Sequence, residues 1–140
     1  MATLHDLTEY CPKYEHAMSL LSKRWMGLIL RALLSGETRF NAICAYVPGL
    51  SDRLLSERLK ELESEGIVER RVHPETPVRV EYLLTSKGEA LRNVVDAVQD
   101  WSDAWVPKDE TSAYHLSTPW NGEGRDGVLT DSYPEATSRP

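Results

Sequence analysis

Apolar residues recur at intervals of three and four along most of the first hundred positions, and strand-like alternation is confined to residues 67–84. Tyr14, Ala17, Met18 and Leu21 follow the helical interval, and Pro12 at a first helical position, with Cys11 before it as cap, marks where that helix opens. A second helix is predicted from Lys23 or Arg24, with Trp25, Leu28, Ile29, Ala32 and Leu33 on one side and Gly36 at its end. Residues 38–40 read as a short extended segment. A third helix over residues 41–47 stops at Pro48-Gly49, a turn signal. Ser51 then reads as an N-cap, with Asp52 favourable in the first turn, for a helix that runs to about Glu65 and ends on Gly66. Residues 67–73 and 78–84 are strand-like, and Pro74 and Pro77 confine the link between them to a loop. Thr85 is expected to cap one long last helix ending near Trp105, and Pro107 to close the fold.

Helix, tight turn, helix and a two-stranded hairpin make a mainly α fold with a small β-wing, the layout of a winged helix-turn-helix. In the helix after the turn, Leu55, Leu59 and Leu62 share one face and are expected to enter the core. The opposite side carries Arg53, Glu57 and Lys60, with Ser56 on its edge, behind Ser51 at the helix start. A helix with such a polar side fits the major groove of duplex DNA, and an early arginine can bond two guanine acceptors at once. Glu57 can accept from cytosine or simply hold Arg53 and Lys60 by helical pairing. Charges opposite leucines are also what any solvated surface helix shows; the turn before it and the hairpin after it tip the reading toward DNA. Arg71, His73 and Arg79 flank the hairpin loop and Arg39 lies on the other side, all candidates for sugar-phosphate contact. Arg58 points toward the core flank and reads as structural.

Leu91, Val94, Val95, Val98, Trp101 and Trp105 form an apolar stripe over about four turns of the last helix. It packs either within the chain or against a second copy, together with the first helix. A homodimer would set two reading helices about one turn of DNA apart, on a partly palindromic site.

The net charge of −6 is awkward for a DNA binder. Residues 1–107 hold 13 basic and 16 acidic side chains and residues 108–140 hold 3 and 6, so half of the excess lies in the C-terminal tail. Its Gly, Pro, Ser, Thr and Asp content predicts a flexible polar tail over residues 108–140, after a single DNA-binding and dimerisation domain at 1–107. No apolar run approaches the roughly 18–20 residues of a membrane span, and no secretory leader is evident, so a cytoplasmic protein is expected. The acidic balance supports the competing reading, a winged-helix module that binds protein and not DNA.

No zinc-type cysteine or histidine pair, Walker loop or nucleophile elbow occurs, and neither metal, cofactor nor catalysis is expected. Gly122, Gly124 and Gly127 have a dinucleotide-like spacing but follow no strand. Two cysteines do not make a disulfide framework. Cys11, at a helix start with Lys13 and His16 near, reads either as a reactive thiol or as an inert cap. Cys44, among Ile43, Ala45 and Val47, reads as a buried thiol, with a Cys11–Cys44′ bridge between subunits as the sharper alternative.

The segments CPKYEHAMSLLSKRW, LILRALLSGETRFN, PGLSDRLLSERLKELESEGIVERRVHPETPVRVEYLLTSKGEAL and DAVQDWSDAW, spanning approximately residues 9–106, resemble the HxlR-type winged-helix transcriptional regulators of bacteria, relatives of the MarR-like group. The resemblance implies a homodimeric DNA-binding repressor or activator without catalysis. It also implies sensing of oxidants or electrophiles through the position matched by Cys11. Cysteines near the C-terminus, present in some members, are missing from this chain.

Overall fold

The computed structural model describes residues 5–108. The polar tail and its glycine spacing therefore lie, Lys108 apart, outside the described residues. The elements are α1 (Pro12–Leu21), α2 (Met26–Leu34), α3 (Phe40–Tyr46), α4 (Asp52–Ser64), β1 (Val68–His73), β2 (Arg79–Leu84), α5 (Ser86–Glu89) and α6 (Arg92–Trp105). No described helix is long and apolar enough to cross a membrane.

The core is built around α2. Met26, Ile29, Leu30, Ala32 and Leu33 are buried, against Ile43 and Val47 of the α3 region, Leu55, Leu59 and Leu62 of α4, and Ile67 and Val68 at the hairpin root. The face of α2 differs from the one expected: Leu28 is exposed, and Met26 and Leu30 point inward. Ile29, Ala32 and Leu33 are buried as expected. Trp25 is not a helical residue but the N-cap, in the left-handed region with φ 74°, so the helix begins later than expected. The indole reaches the turn before α4, where a Cβ on Gly49 (φ 84°) would stand 3.5 Å from it. Arg24 stacks on the same ring, 4.9 Å from the centroid.

Helix α1 opens at Pro12 as expected, but of its ten residues only Leu20 is buried; Tyr14, Ala17 and Met18 face solvent. Strands β1 and β2 pair antiparallel with Val68 opposite Leu84, Arg70 opposite Tyr82 and His73 opposite Arg79. The Tyr82 amide points away from β1 and donates to the Thr38 carbonyl at 2.8 Å, so the extended segment before α3 lines the outer edge of the hairpin.

The single long last helix is not observed. Thr85 does cap a helix, its Oγ1 accepting from the Gly88 amide at 3.2 Å, but α5 ends at Glu89 and the chain turns before α6 starts at Arg92. The two pieces serve different neighbours. Helix α5 crosses the hairpin root so closely that a Cβ on Gly88 would collide with the Ile67 carbonyl and the Leu84 side chain. Helix α6 runs beside α2, where Arg92 donates to the Leu34 carbonyl at 3.2 Å and Arg31 donates to Gln99. One straight helix cannot follow both surfaces.

Candidate nucleic-acid interface

Local rules set α4 in place. The Ser51 hydroxyl accepts from the Leu54 amide at 3.2 Å, satisfying an orphan donor of the first turn. Glu65 and Gly66 close the other end, Gly66 with φ 72°. With three leucines buried, the outward side is fixed by periodicity. Arg53 stands 89% exposed and meets Glu57 one turn on at 3.3 Å. Lys60, two turns below Arg53, is exposed, and Ser56 is half-buried at the side facing the hairpin. Arg58 is on the flank: it is only 15% exposed, donates to the Arg24 carbonyl at 3.0 Å and pairs with Glu61 at 3.2 Å.

The hairpin sorts its charges unevenly. Arg71 pairs with Glu69 at 3.3 Å, Arg79 with Glu75 at 3.1 Å and Glu81 at 3.5 Å, and His73 lies 3.6 Å from Glu81. The two arginines and the histidine singled out on the hairpin thus each lie against carboxylates of the hairpin itself. Arg70, which sequence reasoning passed over, is exposed and has no carboxylate partner among the described residues; the same holds for Arg39 and Lys60. Arg70 sits two residues after buried Val68, so alternation turns it toward α4. There it shares with Ser56, Lys60, Glu63 and Tyr82 a cleft of about 370 Å³ between the helix and the hairpin.

The two thiols differ. Cys11 is exposed at the N-cap of α1 and makes no capping bond there. His16, one turn on, is turned toward Glu65 at the end of α4, 3.1 Å away. The hydrogen bond from His16 holds the Glu65 carboxyl below the ordinary glutamate range, and the positive charges of His16, Lys87 and Lys23 add to it. Cys44 is half-buried and donates to the Asp52 carboxylate at 3.3 Å and the Leu50 carbonyl at 3.4 Å. Burial first, and then the bond to Asp52, pushes this thiol above its usual range. On α6, Leu91 and Val95 lean on the core, whereas Val98, Trp101 and Trp105 are 62%, 61% and 67% exposed and Val94 is exposed beside them.

Comparison with known proteins agrees with this architecture. The HxlR-like helix-turn-helix family matches over residues 20–110. The transcriptional regulator YvaP of Bacillus subtilis is 54% identical over 99 residues, which cover 71% of this chain and 92% of YvaP. The reduced form of the B. subtilis regulator YodB superposes with a TM-score of 0.62 at 52% identity, covering 70% of this chain and 96% of that structure. The quinone-bound form of YodB gives a TM-score of 0.59 at 48% identity, covering 69% and 100%. The chain belongs to the HxlR-like helix-turn-helix family of DNA-binding transcriptional regulators, a class without catalytic activity.

Proposed function

We propose that this regulator is a repressor that binds a pseudo-palindromic operator as a homodimer and releases it when Cys11 meets an oxidant or electrophile. One observation carries the DNA reading: a capped helix, anchored by Leu55, Leu59 and Leu62, presents Arg53, Glu57 and Lys60 to solvent. Arg53 is the base-reading candidate, with Ser51 and Ser56 beside it and Arg39 on the backbone. The dimer reading rests on the uncovered residues of α6 together with exposed Tyr14 and Met18 of α1. Tryptophan-bearing apolar faces of this kind are enriched at interfaces.

YodB in reduced and quinone-bound forms supports a thiol-dependent response here, and Cys11 is the accessible thiol among the described residues. The proton-holding contacts of Cys44 argue against its acting as the nucleophile, and disfavour the Cys11–Cys44′ bridge.

A gel-shift titration on the DNA immediately upstream of the chain's own gene tests the reading, with and without diamide or a quinone. Binding is expected to weaken steeply with salt and to be lost on oxidant treatment, and Cys11→Ser should retain it. Affinity that stays flat across salt concentrations sinks the regulator reading and leaves the protein-binding module in its place.

A further inference from the structure

We propose that the cleft between α4 and β1 seats a backbone phosphate of the DNA, held by Lys60 and Arg70, with Glu63 in its lining limiting the grip. The inference deepens the DNA-binding reading and rests on it. Lys60 belongs to two surfaces at once. It lies almost in line with Arg53 on the outward side of the helix, and it also lines the cleft. A duplex with α4 in its major groove carries a phosphate rail along each side of that groove, and the rail next to the hairpin runs past the mouth of this cleft. Two cations from different elements converge there without a carboxylate of their own among the described residues. Ser56 and Tyr82 add hydroxyl groups to the lining.

Charge matching on the hairpin sharpens the assignment. Arg71 and Arg79 reach phosphate only by giving up their ion pairs with Glu69, Glu75 and Glu81, whereas Arg70 gives up no ion pair. Glu63, on the same side of α4 one turn below Lys60, puts a negative charge into the cleft. It weakens the hold on a phosphate there, on cognate and random sequence alike.

The test is a fluorescence-anisotropy titration of the full chain against two duplexes, the upstream fragment and a shuffled version of equal composition, between 50 and 200 mM salt. Loss of one phosphate contact lowers the slope of log affinity against log salt by about 0.9. Arg70→Ala and Lys60→Ala should each show part of that change on both duplexes and the double variant the whole of it, with roughly five- to tenfold weaker binding at 0.1 M salt for the double variant. Arg70→Lys should keep the slope, Arg79→Ala should change it less than Arg70→Ala, and Glu63→Gln should tighten binding to both duplexes. A steep wild-type slope that survives Arg70→Ala, or falls only with Arg79→Ala, overturns the cleft and leaves the regulator reading intact. A flat wild-type titration overturns both.

Discussion

The Cys44 sulfur lies 3.3 Å from the Asp52 carboxylate, across the turn that joins α3 to α4. Ionising the sulfur would set two negative charges against each other in half-buried surroundings. Cys11 has no carboxylate partner among the described residues and stands in solvent. Mass-spectrometric timing of iodoacetamide labelling at pH 8 should find Cys11 modified at least several-fold faster; equal rates would remove the basis for choosing it. At the far end of α4, Glu65 titrates in the opposite sense. Its folded carboxyl is held low by His16, so its contribution to stability is complete above the unfolded glutamate range and is lost as pH falls through the depressed folded value. His16→Ala should therefore narrow the loss of stability between neutral and acid pH, read from denaturation midpoints along a pH series. A mutant whose midpoints parallel those of the native chain throughout would contradict this.

Among the elements, α4 is the one whose ends and face were fully legible in advance. Ser51, Asp52 and Gly66 act within one turn of themselves, and the leucine spacing leaves one way to bury the helix. Removing the cap by Ser51→Ala should cost about 1 kcal/mol in chemical denaturation. Arg53→Ala should leave stability nearly unchanged and cost about 1–3 kcal/mol of discrimination at a single base pair, measured on a panel of operator variants. Uniform losses across the panel would remove Arg53 from base reading. What stayed hidden was decided by partners distant in sequence. Trp25 looks helical by interval, but it stands at the N-cap with its ring against the turn at Gly49. The break before α6 accompanies the close approach of α5 to Ile67 at Gly88, which has no local signature. Arg70 and Arg71 are adjacent and alike, and only the burial of Val68 says which of them turns toward α4.

For the whole molecule, the stripe on α6 was visible as a pattern, but periodicity cannot say whether an apolar side turns inward or meets another chain. The fold divides it: Leu91 and Val95 lean on the core, and Val94, Val98, Trp101 and Trp105 are left uncovered. Val98→Asp would bury a charge in the proposed subunit contact. Sedimentation should show monomers for this variant where the native chain gives dimers, with operator affinity falling at the same time. A native chain that sediments as a monomer at micromolar concentration would rule the dimer out. The pairing of Arg71, His73 and Arg79 with carboxylates of the same hairpin has a consequence for how the protein finds its target. A wing whose outer arginines are already paired with carboxylates adds little hold on arbitrary genomic sequence. On the proposed DNA reading, visits to the wrong stretch would therefore be brief, and the search would advance by frequent release and recapture instead of long one-dimensional tracking.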